Sequence, residues 1–502
     1  MRAQVLQRRM SVAFLGAALA GSVAACASSG AAAGAAPRGS AASAATLTAV
    51  IDSIVEQPPF HRTQWGVHVV DAATGAVLYS RAAERHFIPA SNLKLVIGAV
   101  SLARFGEEHR YRTDVLASAP TGDSAATLLI VGSGDPTWSA RFYAAACVPL
   151  DSLALRVAQN GIAKAGELVV DATRFRNELV HPTWEVGDLT GSSAPPVDAL
   201  AMAEGMFQLL VTGGATVGAP GEARVIGDVP QPVRASVLTD TAGARASTSV
   251  DFTMRRDTVF LRATVGVNGA DTVSLAVTRP ADVTAQALAE ALRSAGVHVA
   301  SIRVVRDSAE AAALRGAAPR IVASHSSPPM REIVARMLAP SQNWIAEQLL
   351  KTLGAEFGAE GSWRGGLAVE RSYLIDVVRI DSGAVNLRDA SGLSAQNLLT
   401  PAATVALLAH ARSQPWGAAY RAGLPTPGTP GTLSGRLRSL EGRVAAKTGT
   451  ISNVNSLSGY LTADDGRELI FGVFTNGSGL PSALVRGAID SVVVAIARHA
   501  GR

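Results

Sequence analysis

Cysteine is nearly missing from this sequence: 502 residues hold two, Cys26 and Cys147. The disulfide framework that staples small exported domains is therefore excluded. Lysine is almost as scarce, with four (Lys94, Lys164, Lys351 and Lys447) against 41 arginines. Aromatics make up 5% of the chain, so its cores must rest on Ala, Val, Leu and Ile. The net charge is +5, but the arginines stand singly or in pairs with Asp and Glu between them. No basic stripe forms, which argues against nucleic acid as a partner. The nine histidines show no metal-ligand spacing, so no metal site is expected. The apolar run at 11–25 is too short to span a bilayer as a mature helix.

That run has a different use. Arg2, Arg8 and Arg9 precede it, and a basic segment followed by a short apolar one is a secretory signal, here residues 1–25. Its end, Val23-Ala24-Ala25-Cys26, looks like a bacterial lipoprotein cleavage box that would leave Cys26 as a lipidated N-terminus. Ordinary cleavage at small residues is the alternative, and Arg8-Arg9 fits a twin-arginine signal poorly. From 26 to 46 the chain is mostly Ala, Gly and Ser, which suits a flexible tether from a membrane. If Cys26 carries lipid, Cys147 in its apolar run is an unpaired, buried and inert thiol.

Order begins near Leu47. Residues 65–71 and 76–80 form two strand-like runs around a turn at 72–75, and 457–462 with 468–475 form a second pair around 463–466. A helical stretch at 481–499 closes the chain. Two hairpins at opposite ends suit one antiparallel sheet built from both termini, with helices packed on it. Between 113 and 318 the chain is richer in Gly, Pro and short β-like runs such as 250–265, with one amphipathic helix at 283–295. Helical patterns return at 330–338 and 344–354. The pattern implies a mixed α/β (α+β) catalytic domain, residues 47–112 and 319–502, split by one or two small domains at 113–318.

Three short motifs carry the chemistry. Ser91-Asn92-Leu93-Lys94 opens a helix, and a spacing of three sets both side chains on one face, one turn apart. A serine hydroxyl needs an adjacent base, and a desolvated lysine amine can serve. Ser341-Gln342-Asn343 falls between two helical stretches. Its second hydroxyl can relay protons and its amide can hold a substrate carbonyl, although Ser341 could equally be a helix cap. Lys447-Thr448-Gly449-Thr450 lies on a strand-like run at 443–451. There a cation can bind a carboxylate, the glycine lets a peptide approach, and the Thr450 N–H can complete an oxyanion hole; the plainer reading is an edge strand with a solvated lysine. Two of four lysines fall in these motifs, and at position 94 arginine could not act as a base. Lys164 is expected in a turn and Lys351 on a helix surface.

In this order the motifs resemble those of penicillin-binding proteins and serine β-lactamases. The long gap between Ser91 and Ser341 resembles the low-molecular-mass class C penicillin-binding proteins, the D-Ala-D-Ala carboxypeptidase/endopeptidases of penicillin-binding protein 4 type. The likeness extends to Gly132-Ser133-Gly134-Asp135-Pro136-Thr137, Val169-Val170-Asp171 and residues 389–399. It implies a serine β-lactamase/transpeptidase-like fold that acts on peptidoglycan stem peptides in the cell envelope or periplasm. It also implies covalent inhibition by β-lactams and no cofactor. Ser91 would be acylated with Lys94 as base, and Ser341 and Asn343 would line the site. Lys447 and Thr448 would bind the terminal carboxylate, and the N–H groups of Ser91 and Thr450 would hold the oxyanion. Asp171 would lie near the amine of the substrate's side chain.

Two departures bear on peptide preference rather than acylation. The family's Asp-Gly-Ser-Gly-Leu-Ser-Arg reads here with Ala390 for the first Gly and Ala395 for the Arg, and Gln342 replaces a commoner Asp. The rival readings are a β-lactamase or esterase on the same fold and a non-catalytic wall-binding scaffold. Class A β-lactamases carry a deacylating Glu about 36 residues after the second motif, where this chain has Val377.

The lipobox reading gives a first test. Cys26→Ser should abolish lipidation and move the protein out of the membrane fraction, because the several acyl chains of a lipoprotein hold firmly where one would not. A wild-type N-terminus without lipid by mass spectrometry would contradict it.

Overall fold

A computed structural model of the chain describes residues 46–119, 121–251 and 258–500. The signal segment, Cys26 and the tether to residue 45 lie outside the described residues.

The two ends of the chain build one sheet. Its five strands run in the order Val444–Ile451, Val454–Thr462, Glu468–Asn476, Gln64–Asp71 and Val77–Arg81, every pairing antiparallel. The join between termini is the register that sets Gln64 opposite Asn476 and Asp71 opposite Leu469. Alternation decides what each face buries. Val67, Val69, Leu469, Phe471 and Val473 share a core with the helices Leu47–Glu56 and Ser482–His499, through Ile51, Val55, Ile489 and Val492. Ile470, Tyr460 and Ala445 face a second, larger core. There the helices Lys94–Phe105, Asn343–Phe357 and Pro401–Arg412 pack. Thr46 caps the first helix by accepting from the Ala49 N–H.

The inserted region supplies the remaining large sheets. The strands Arg112–Ala117, Ser124–Val131 and Lys164–Asp171 sit centrally in a six-stranded sheet completed by His298–Val299, Ile302–Val305 and Arg320–Ser326. That last strand lies beyond residue 318, so the sheet draws on chain from both sides of the insertion bounds read from sequence. The β-like run at 250–265 divides into Ser247–Asp251 and Val259–Gly266, which pair antiparallel. Both belong to a three-stranded sheet with Val233–Asp240, and a second such sheet is built on Met206–Thr212. The insertion's apolar side chains, Leu128, Leu168 and Val211 among them, join the same continuous core as Val96 and Leu349.

Phe471 joins the split sheet to its two terminal helices and is fully buried. Phe471→Ala should destabilise the protein by about 3–5 kcal/mol, read as a lowered midpoint of thermal or denaturant unfolding. An unchanged midpoint would show that the terminal helices do not depend on this contact.

Candidate active site

The three motifs converge, each held differently. Ala90, at φ 47°, turns the chain through left-handed backbone into a 3-10 turn, Ala90–Leu93, that runs directly into the helix Lys94–Phe105. Ser91 stands in that turn and Lys94 is the helix's first residue, so the three-residue spacing eclipses them. Lys94 Nζ lies 2.9 Å from Ser91 Oγ. It donates to Asn343 Oδ1 and to the Ser391 carbonyl, each at 2.7 Å. Lys94 is fully buried. Burial pulls its amine down to about 7, against the pull of the Glu347 and Asp389 carboxylates that favour the charge.

The second motif is also bent through a left-handed residue, Ser341 at φ 66°. Gln342, not Ser341, caps the helix Asn343–Phe357, its side chain accepting from the Trp344 N–H at 2.7 Å. Ser341 is thereby left facing the site. Asn343 Nδ2 donates to the Ser193 carbonyl at 2.7 Å, which fixes the amide with its oxygen towards Lys94.

The third motif lies on Val444–Ile451, the edge strand of the split sheet. The Ala446 N–H points off the sheet to the Pro425 carbonyl at 2.9 Å. By the alternation of an antiparallel ladder, the N–H groups of Thr448 and Thr450 face the same open edge. Lys447 is not the solvated lysine that an edge strand suggests. It is fully buried, and Nζ donates to Ser341 Oγ and the Thr448 carbonyl, both at 2.8 Å. Burial, and then the charge of Lys94, hold its amine well below the usual lysine range. Gly449 admits a close approach within the protein itself, where a Cβ would collide with Ser456 Oγ. A Cβ there would stand 2.7 Å from the Pro89 carbonyl and 3.1 Å from the Asn92 N, on the turn that carries Ser91. Ser91, Ser341, Thr448 and Thr450 line one cavity of about 550 Å³.

Behind Lys94 lies a layer that the motifs do not announce. Glu347, one turn beyond Asn343 on the same helix, is fully buried. Its Oε1 accepts the N–H groups of Ala390 at 3.1 Å and Ser391 at 2.7 Å, and Oε2 accepts Trp363 Nε1 at 2.7 Å. Glu347 thus fixes the peptide whose carbonyl holds Lys94. Asp389 folds the same loop by accepting from Gly392, Ser394, Asn397 and Trp184. Gly392, at φ 78°, lets the loop meet the Ser91 turn, since a Cβ there would lie 1.9 Å from the Ala90 carbonyl. Burial and Asp389 push the Glu347 carboxyl up to about 7, opposed by its N–H donors. Glu370 is fully buried with no hydrogen bond to either oxygen, and burial, then the charges of Glu347 and Asp389, push its carboxyl well above the usual range. The available signal was a lone Glu in the apolar run 344–353, which reads equally as a helix surface.

Other expected positions fall elsewhere. Lys351 is not on a helix surface: it is fully buried, donates to the carbonyls of Arg176 and Glu178, and lies 4.1 Å from the Trp363 ring centroid. The reason is that the helix Asn343–Phe357 is covered on every side from Trp344 to Gly354. Lys164 begins a strand and is exposed. Asp171 does not join the cavity. Its buried carboxylate accepts from Thr173 N and Oγ1 at 3.0 and 2.6 Å and pairs with Arg315. The inserted region reaches the site instead through Ser193 on Asn343 and Trp184 on Asp389. Ala395 is exposed. Cys147 is half-buried, and burial pushes its thiol up to about 12, leaving it protonated. Among the described residues no cluster of His, Cys, Asp and Glu could hold a metal ion.

This geometry can be set beside known proteins. The sequence model of the D-Ala-D-Ala carboxypeptidase 3 (S13) family matches residues 47–499. A D-alanyl-D-alanine carboxypeptidase of Actinomadura sp. (strain R39) is 34% identical over 475 residues, covering 90% of this chain and 84% of that protein. Carboxypeptidase DacB of Mycolicibacterium smegmatis is 27% identical, covering 86% and 80%. The crystal structure of penicillin binding protein 4 (dacB) from Haemophilus influenzae superposes with a TM-score of 0.76 at 21% identity, covering 88% of this chain and 97% of that one. The same protein is known in complex with a β-lactam, with a TM-score of 0.72, 20% identity and coverage of 88% and 97%. The fold is thus the mixed α/β one that the sequence implied, and the chain belongs to the D-Ala-D-Ala carboxypeptidase 3 (S13) family.

Proposed function

We propose that this hydrolase is a serine-type D-alanyl-D-alanine carboxypeptidase and/or endopeptidase that cleaves peptidoglycan stem peptides through an acyl-enzyme on Ser91, and that penicillins acylate the same serine. One observation carries the reading. The desolvated Lys94 amine gives two N–H groups to Asn343 and Ser391, which leaves its remaining direction, the lone pair of the neutral amine, on Ser91 Oγ at 2.9 Å.

Ser91 Oγ attacks the carbonyl carbon of the penultimate D-alanine while Lys94 takes its proton. The oxyanion is held by the N–H groups of Ser91 and Thr450, each such donor being worth about 3–4 kcal/mol in the transition state. As the C–N bond breaks, the Ser341 hydroxyl gives a proton to the departing amine. Lys447, bonded to Ser341, replaces it. Lys94 then releases the proton it took from Ser91 to solvent, and Lys447 regains one from solvent. Water attacks the ester with the neutral Lys94 again as base, and Lys94 returns that proton to Ser91 Oγ as it leaves. The β-lactam bound to the Haemophilus influenzae relative supports the penicillin arm.

Such a substrate lies outside the cytoplasmic membrane, so the protein is exported. Among the described residues no helix is long and apolar enough to cross a membrane. A lipid on Cys26 would supply the attachment, with the enzyme in the periplasm or elsewhere in the cell envelope.

Purified stem peptides, monomeric and cross-linked, should lose terminal D-alanine or be cut to monomers, as read by mass spectrometry. Lys94→Arg should abolish labelling by a fluorescent penicillin, because a guanidinium cannot accept the Ser91 proton. Lys164→Arg should label as wild type does. The lowered amine sets the sign of the pH dependence. Below about 7 Lys94 is protonated and cannot act as base, so the labelling rate should fall about tenfold per pH unit there and level off above. Wild-type labelling by Lys94→Arg, or a flat profile down to pH 5, would remove Lys94 from its role.

A further inference from the structure

The carboxylate that ends a D-alanyl-D-alanine peptide, like that of a penicillin, is ionised at neutral pH and needs charged donors at the cavity wall. The family resemblance gives that task to Lys447 with Thr448. In this chain Lys447 does not line the cavity: it is fully buried, with two of its donor directions taken by Ser341 and the Thr448 carbonyl. Its amine is also held well below the ordinary lysine range by burial.

Two other cations do line the cavity, Arg436 and Arg486. Arg436 is gripped in a bidentate pair by Asp490, Nε to Oδ2 at 3.2 Å and Nη2 to Oδ1 at 2.7 Å, so its charge is already matched. Arg486 is half-buried, and among the described residues no carboxylate pairs with it. It stands on the C-terminal helix Ser482–His499, on one face with Ala483, Gly487 and Asp490 by three- and four-residue spacing. That face is held beside the edge strand. Ser482 Oγ donates to Asn455 Oδ1 at 2.6 Å, and Thr450 Oγ1 donates to the same oxygen at 3.3 Å. Beside Arg486, a Cβ on Gly487 would meet nothing within 4 Å, so the helix surface is open there. The Thr448 hydroxyl, bonded to Thr432 at 2.8 Å, completes a polar wall. A guanidinium presents two parallel N–H groups that fit a carboxylate, which an ammonium cannot.

We propose that Arg486 binds the terminal carboxylate of the substrate and the carboxylate of penicillins, together with Thr448 and Thr450, while Lys447 serves Ser341. The assignment rests on the Ser91 acyl-enzyme reading.

The test compares acylation of the full-length protein by benzylpenicillin and by its methyl ester, which has no ionised carboxylate. In Arg486→Ala the acid-to-ester ratio of acylation rate constants should fall by about 10- to 100-fold, the loss expected of one charge-assisted contact. Arg486→Lys should restore part of that ratio, which a merely structural role would not do. An Arg486→Ala ratio equal to wild type, or equal slowing with both compounds, overturns the assignment alone. Failure of wild type to be acylated by either compound overturns the acyl-enzyme reading and the assignment with it.

Discussion

A lysine amine removed from water is the constraint on which this site is built. An ammonium in bulk solvent sits more than three pH units above neutrality and is no base for a serine hydroxyl. Full burial of Lys94 shifts that balance, and two carboxylates nearby prevent it from going further. The structure therefore has to keep water out while leaving Ser91 open to a ligand. It does so with oxygens rather than with hydrocarbon alone: the Asn343 amide and the Ser391 carbonyl occupy the amine's two N–H groups. An apolar pocket would lower the amine too, but it would not say where the lone pair points.

Each of those oxygens needs its own support, and the support comes from distant chain. Asn343 is oriented by Ser193 of the inserted region. Ser391 is fixed by Glu347, and Glu347 by Trp363. The turn bearing Ser91 is pressed between Gly392 and Gly449, where any side chain would collide with its backbone. Rigidity at the nucleophile is thus assembled from close approaches between segments distant in the chain, and the register joining Gln64 to Asn476 closes them into one body.

What could be read from sequence follows from this. Both terminal hairpins, the closing helix and the three motifs were legible, because alternation along a strand is local and because few residue types can be a nucleophile, a base or a proton relay. The supporting layer was not. Glu347 and Lys351 look like the polar face of a helix, and only the cover of Trp363 and of the chain near Arg176 makes them interior. Gly449 was legible as a place of close approach, yet the approaching partner, the Pro89–Asn92 backbone, lies far away in the chain. Asp171 was carried over on a short match, and its carboxylate is held by Thr173 and Arg315. Arg486 had no signal at all, one arginine among 41 until the fold placed it on a cavity wall.

The placement of the few lysines has a physical reason. Three of the four, Lys94, Lys351 and Lys447, are fully buried, and only Lys164 is exposed. On the surface of this chain arginine is the default cation, and it pairs repeatedly with Asp and Glu, as Arg293 does with Glu290. Inside, arginine would bring a charge that it cannot lose and a plane too wide for the space between Ser91, Asn343 and Ser391. An amine can shed its proton when desolvated, and burial lowers Lys351 to about 8 just as it lowers Lys94. The remaining lysines thus mark interior positions where a cation must be small or must be able to become neutral. Where this chain needs a buried cation that can become neutral, lysine is the residue it uses.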